Sequence, residues 1–440
     1  MAQSTESLDI IGLEEAGTLD GLFAARVRRT PQSVAYREYS EAAGSWKEYT
    51  WEAVEREIAR WQRALERDGL ADGERVAIML RNCTAWVTCD QAALGLGLVV
   101  VPLYTQDRPD NVAYIVGNAG ARVLLLESIE NWQAFEPLLD QLTGLVRILV
   151  VKPFPGPAPD PRVVCIDTWL PADGGAVKRV NRDATRLASI VYTSGTTGRP
   201  KGVMLSHLNM LSNAHGATAK MAVRRDDLFL SFLPLSHTFE RTVGYYLTVL
   251  CGAVTAYARS VQQLGEDLLT IQPTILISVP RIYERVYGAI KAKLEEGPPI
   301  RRKLFEMAVD VGWKRFEHEQ GRGGWSPSFL LWPLLDALVA SKIRARLGGR
   351  LRAALSGGAA LAPDISRVFI GLGLTILQGY GLTESSPIIS ANQPDDNLPA
   401  SVGTTMPGVE VRIGEHGALL AKGPNVMLGY WNNPDATKAM

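Results

Sequence analysis

Two hydrophobic patterns alternate along the 440 residues. Between 51 and 66, Val54, Ile58, Trp61 and Leu65 recur at helical spacing while charged side chains fill the other face, which predicts an amphipathic helix. Elsewhere the apolar residues come as short continuous runs rich in β-branched side chains. The first four are RVAIML (75–80), LVVVPLY (98–104), RVLLLE (122–127) and RILVV (147–151). A turn-rich break, KPFPGPAPDP (152–161), follows. The pattern then resumes with SIVYT (189–193), LFLSFLPL (228–235), AVTAYA (253–258), TILISVP (274–280), LRAALSGG (351–358) and LTILQGYG (374–381). Continuous apolar strands spaced widely enough for crossover helices indicate parallel sheets covered on both faces. From about 398 the texture shifts to short strands with close Gly and Pro, which predicts a small antiparallel barrel. The expected fold class is α/β: two doubly covered, mostly parallel sheet subdomains, over 1–180 and 181–397, and a β-barrel-like segment over 398–440.

Composition narrows this picture without redirecting it. Hydrophobic residues make up 46% and charged residues 21%, an ordinary globular balance. Net charge is zero, which gives no general case for nucleic acid. Cys83, Cys89, Cys165 and Cys251 lack C-x-x-C spacing, and the five histidines form no metal-ligand motif, so a reduced, cytoplasmic chain without zinc is expected. The acidic start, MAQSTESLDIIGLEEAG, speaks against a secretory leader. No apolar run approaches the ~18 residues of a membrane-spanning helix.

Candidate chemistry centres on VYTSGTTGRPKGVMLSH (191–207), which sets four aliphatic hydroxyls and two glycines ahead of Lys201. Such a loop offers many hydrogen bonds and little bulk, and a phosphate is the expected ligand. It is not a Walker loop. Counting from Gly195, Lys201 falls in the lysine's place, but Pro200 replaces the second glycine and Gly202 the Ser/Thr. Pro200 removes an N–H from the amide cradle, and GVML reads as a strand rather than a first helical turn. The loop is therefore expected to join two strands, with the next helix starting at Ser206 as N-cap. A flexible Ser/Gly linker is disfavoured by the threonines, the proline and the apolar flanks.

With LPLSHTFER (233–241), SGGAAL (356–361), QGYGLTESSP (378–387) and GPNVMLGYWNNPDAT (423–437), this loop resembles the adenylate-forming superfamily of acyl-CoA synthetases, luciferases and adenylation domains. The motifs stand in that family's order and span essentially the whole chain. The resemblance implies an acyl-CoA synthetase-like N-terminal domain that joins a carboxylate to AMP and passes the acyl group to a thiol. It implies that Thr193, Ser194, Gly195, Thr196, Thr197 and Gly198 wrap the ATP phosphates, with Lys201 as the catalytic cation. Gly357, Gly358 and Ala359 would lie against the purine. In QGYGLTE, Gln378, Gly379 and Gly381 would help bind the nucleotide, Tyr380 would offer an adenine face, Thr383 would reach the α-phosphate, and Glu384 would hold Mg2+ together with Thr193. His237 would orient the attacking carboxylate through an N–H without taking a proton.

The acid is read less directly. Residues 233–250 offer only Glu240 to grip an ammonium group, and adjacent Arg241 is its expected partner, which disfavours an amino acid. Residues 281–352 resemble the long-chain fatty acid–CoA ligases, notably VPRIYERVY and SKIRARLGGRLRAALSGGAAL. Within them Ile282, Val286, Ile290 and Leu294 share a helix face, SFLLWPLLDALVA is strongly apolar, and 15 Lys/Arg stand against 8 Asp/Glu. This excess fits a solvated face equally with a surface meeting anionic lipid or coenzyme A phosphates. The expected function is ATP-dependent formation of acyl-AMP and then a thioester with coenzyme A. A medium-chain or aryl acid, and a non-catalytic lipid-binding fragment, stay open as alternatives. A P-loop kinase is disfavoured by Pro200 and Gly202, and a serine hydrolase by the lack of a G-x-S-x-G elbow. The expected partners are fatty acid and coenzyme A, with no nucleic acid; a homodimer and a peripheral contact with the inner face of a membrane are both allowed. In the relatives the chain continues beyond the GYWNNPDATKAM stretch into a ribose-binding aspartate, a hinge and a small domain carrying a lysine. The expectation is a large N-terminal portion without that domain.

Overall fold

The computed structural model describes residues 8–193 and 198–440. The short apolar runs become strands. In chain order they are β1 (Val34–Ser40), β2 (Ser45–Thr50), β3 (Arg75–Met79), β4 (Val99–Pro102), β5 (Ala121–Leu126), β6 (Arg147–Val150), β7 (Val163–Cys165), β8 (Leu187–Thr193), β9 (Lys201–Ser206) and β10 (Leu228–Ser231). They continue with β11 (Val254–Tyr257), β12 (Ile275–Ser278), β13 (Ala353–Ser356), β14 (Ile376–Gly381), β15 (Ile388–Ala391), β16 (Thr404–Thr405), β17 (Glu410–Ile413), β18 (Leu419–Lys422) and β19 (Gly429–Tyr430).

These strands build two large sheets. The nine-stranded sheet runs β16-β15-β14-β13-β12-β10-β11-β1-β2, parallel from β14 to β1 and antiparallel at both edges. The eight-stranded sheet runs β19-β9-β8-β4-β3-β5-β6-β7, parallel from β8 to β7, with β9 and β19 antiparallel at one edge. Parallel neighbours need crossovers, and amphipathic helices supply them. The helix Trp51–Arg67 buries Val54, Ile58, Trp61 and Leu65, the stripe expected from the sequence. Thr84–Gly95 is buried at every position but Ala85 and packs against the first of these helices. A helix with no wet face sits between layers, so the main core runs continuously past both sheets.

The segment from 398 onward corrects the barrel expectation. Its short strands do not close on one another. β16 pairs with β15 at one edge of the nine-stranded sheet, β17 and β18 form a separate hairpin, and β19 pairs with β9 at the edge of the other sheet. Frequent Gly and Pro cut the strands too short for a barrel wall, and two of them find pairing partners on pre-existing edges instead. Among the described residues, no helix is long and apolar enough to cross a membrane.

Candidate active site

β8 and β9 form an antiparallel pair in which Thr193 stands opposite Lys201, so the strands on either side of 194–200 pair with each other. Ser194, Gly195, Thr196 and Thr197 lie outside the described residues; Gly198 is exposed. Gly202 shows why this is no Walker loop. A Cβ there would sit 2.7 Å from Ile190, 3.0 Å from Tyr192 and 3.2 Å from the Trp431 Cβ, and the Gly202 carbonyl accepts from Trp431 N–H at 2.7 Å. Ser206 then caps the helix His207–Thr218, with reciprocal hydrogen bonds to Asn209 at 3.1 and 2.8 Å.

Residues 423–431 lace this strand pair to the turn that carries Glu384. Asn425 Nδ2 donates to the carbonyls of Ser385 and Ile388 at 2.9 and 3.1 Å, and Met427 N–H donates to the Glu384 carbonyl at 2.9 Å. Asn209 Nδ2 reaches the carbonyls of Pro424 and Val426, and Leu428 N–H reaches Met204. The lacing ends at Tyr430. Its hydroxyl donates to Glu384 Oε1 at 2.7 Å, and Lys201 Nζ lies 5.2 Å from its ring centroid. Burial, then the Glu384 carboxylate, raises the Tyr430 phenol, so it remains a donor. Thr193 and Lys201 are thus gathered at one edge with Glu384, which is distant in the chain. Tyr430 was not among the residues singled out from sequence; the GYW run in the last motif was its only signal.

The purine candidates are placed less uniformly. Gly358, Ala359 and Tyr380 are exposed, Gly358 has φ +81°, and Tyr380 is 37% accessible. Gly357 is buried; a Cβ there would meet the Phe239 ring at 3.1 Å. Gln378 is buried with both amide atoms engaged: Oε1 accepts from Leu361 N–H at 2.9 Å and Nε2 donates to Pro399 at 2.6 Å. It shapes the 356–361 turn rather than presenting a free edge. Gly379 and Gly381 pack against β15, and Gly381 leaves no room for a Cβ beneath Pro387. Thr383 stands half-buried in the Glu384 turn.

His237 lies beside the purine turn through Phe239, and its Nδ1 accepts from Phe239 N–H at 3.1 Å. Burial lowers its pKa, so the ring is neutral with its proton on Nε2, free to donate. Two further residues correct a sequence expectation. Glu240 does not pair with Arg241. Its Oε1 accepts from Ser231 Oγ at 2.6 Å, Oε2 has no partner among the described residues, and burial pushes the carboxyl up to about 8. Arg241 points the other way, across to Asp90, and donates to Ser189 Oγ at 2.7 Å and the Tyr246 hydroxyl at 3.1 Å. Neighbours one residue apart on a helical turn project about 100° apart, so sequence adjacency made them poor partners.

A cavity of about 310 Å³, lined by Leu103, Tyr104, Gln106, Asp107, Asn111 and Pro200, adjoins the end of the phosphate loop. A larger open groove of about 1100 Å³ lies by Asp9, Arg29, Arg224 and Arg225. It touches none of the gathered residues, and Asp9 already engages Arg29 and Arg225, so the site is placed at the Lys201–Glu384 edge.

The fold, together with the family match over most of the chain, places the protein among the adenylate-forming ligases. The chain belongs to the AMP-binding enzyme family, whose sequence profile it matches over residues 23–431. It is 32% identical to the long-chain-fatty-acid–CoA ligase FadD15 of Mycobacterium tuberculosis over 418 residues, 93% of this chain and 68% of that protein. It is 30% identical to the peroxisomal long chain acyl-CoA synthetase 7 of Arabidopsis thaliana over 458 residues, 96% of this chain and 63% of that protein. The chain thus spans about two thirds of the length of these relatives. Among solved structures it is similar to apo MatB from Rhodopseudomonas palustris, with TM-score 0.71, 24% identity, and 96% of this chain and 73% of that one covered. It is also similar to the anthranilate CoA ligase AuaEII in complex with anthranoyl-AMP, with TM-score 0.74, 19% identity, and 100% and 75% covered. These two likenesses speak for the fold.

Proposed function

We propose that the chain activates a long-chain fatty acid as its acyl-AMP at the expense of ATP, and that the whole protein then transfers the acyl group to coenzyme A. The observation that carries this reading is the Lys201–Tyr430–Glu384 edge, where a cation and a carboxylate stand together at the end of a phosphate loop. The relatives named as long-chain ligases support the choice of acid.

The chain's own groups divide the work. Lys201 neutralises the phosphates and the departing pyrophosphate. Glu384 and Thr193 fit Mg2+, a hard cation that takes one or two protein oxygens and leaves the rest of its shell to phosphate and water. When bound, that ion supplies charge neutralisation between the phosphates. His237 donates Nε2–H to the substrate carboxylate and orients it toward the α-phosphate; no base is required, because the acid is already ionised. Tyr380 and the Gly357–Ala359 turn frame the adenine. With palmitate and ATP, palmitoyl-AMP and pyrophosphate are the expected products, with AMP released when coenzyme A takes the acyl group; ADP, or ATP turnover independent of acid, would overturn the reading.

The 281–352 region supports a peripheral place on the inner face of a membrane. Leu330, Trp325 and Leu334 are 76%, 61% and 59% exposed. Arg301, Lys303, Lys342 and Arg346 of the same region make no ion pair with the described residues, which suits anionic lipid. Vesicles containing phosphatidylserine should bind the protein more tightly than neutral ones, and salt should weaken the binding. Equal binding to both, or none, would return the segment to an ordinary solvated surface.

A further inference from the structure

Tyr430 is delivered to the site by main-chain pairing. It lies opposite Val203 in the β9–β19 ladder, and its own N–H donates to Thr437 Oγ1 at 2.9 Å. The ring is almost fully buried, so the phenol has little freedom to swing. From that fixed base, one side chain meets both candidate phosphate-handling groups. The hydroxyl holds Glu384 by Oε1, and the ring face carries the Lys201 ammonium. A carboxylate has two oxygens, and a donor on one leaves the other for a cation while fixing the group's rotation. An ammonium over an aromatic face is attracted without being neutralised, so Lys201 keeps its charge for an incoming anion.

We infer that Tyr430 is a positioning residue: it sets the Glu384 carboxylate for a divalent cation and the Lys201 ammonium for phosphate, both from the strap 423–431. This rests on the proposed adenylation site, and the strap gives it a structural cause. Residues 423–431 bond to the turn of Glu384 in one sheet and to β9 in the other, so the two halves of the phosphate site are registered by one segment. Lys201 and Glu384 have no direct contact that could do this.

The test is calorimetric binding of ATP to the 440-residue protein, in EDTA and again with saturating Mg2+. Tyr430→Phe keeps the ring and loses only the hydroxyl. It should bind metal-free ATP like wild type, while the gain in affinity on adding Mg2+ shrinks by about tenfold, the scale of one hydrogen bond to a charged group. Tyr430→Leu removes the ring as well and should weaken metal-free ATP binding too. Glu384→Gln should reproduce the loss in Tyr430→Phe, and the double variant should lose little more than either, because both act through one carboxylate. A Tyr430→Phe protein with an undiminished Mg2+ gain, or a double variant with simply additive losses, overturns the positioning role and leaves the adenylation site standing. Wild type that binds ATP in neither condition overturns both.

Discussion

Two of the joints between the sheets are built on opposite principles. In the interior, Arg241 meets Asp90, Ser189 and Tyr246, while the hydroxyls of Tyr245 and Tyr246 donate to Asp90 Oδ2 at 3.0 and 3.2 Å. All these groups are fully buried. Burial opposes the guanidinium charge, but the Asp90 carboxylate more than offsets it and holds the Arg241 pKa above its ordinary value. At the edge, Lys201 is exposed, Glu384 half-buried, and each keeps bonding capacity unused by the described residues. The interior joint is closed and can only be broken. The edge joint is open and can be completed by a ligand. Stability should therefore reside in the first and binding in the second.

The largest expected effect is at the closed joint. Arg241→Met leaves Asp90 buried without its counter-charge and should cost about 3–5 kcal/mol in denaturant unfolding. A cost confined to catalysis, with unfolding unchanged, would break the comparison. At the open joint the pattern reverses. Lys201→Ala should weaken ATP binding by about 1.5–3 kcal/mol and leave the thermal midpoint where it was, since an exposed lysine supports little of the fold. Parallel melting curves and ATP titrations of the two variants separate the cases.

A subtler contrast lies between sequence neighbours. Arg241 is fully satisfied, whereas Glu240 has one orphaned oxygen and a carboxyl pushed up to about 8 by burial. A raised pKa means that the fold prefers the protonated acid. Its stabilising share is whole below the ordinary pKa of 4.5 and is lost as pH rises through about 8. Across that window each pH unit should cost about 1.4 kcal/mol. Glu240→Gln, which cannot ionise, should gain on wild type as pH rises from 5 to 8 in unfolding experiments. A constant difference between the two would mean that Glu240 finds a partner for its charge.

Much of this architecture was legible because apolar runs of β-branched residues have few alternatives to a buried strand. The hairpin around Pro200 and Gly202 and the cap at Ser206 followed from local chemistry alone, and local chemistry is what a sequence displays. The joints were not legible. Arg241 finds Asp90 across 151 positions, and nothing near either residue announces the pairing. Tyr430 meets Glu384 only because β19 docks on the β9 edge, which short Gly- and Pro-rich strands concealed behind the texture of a barrel. Gln378 looked available in its motif, yet the fold engages both ends of its amide.

An adenylate site for a long acyl chain at the open edge should reveal itself in one binding series. Stable acyl-sulfamoyl adenosines carrying two-, eight- and sixteen-carbon acyl groups imitate the intermediate and require no turnover. Calorimetry should show affinity rising steadily with chain length, by well over tenfold across the series, because each buried methylene contributes up to ~0.8 kcal/mol. Affinity that is flat with length, or absent for all three, would contradict such a site.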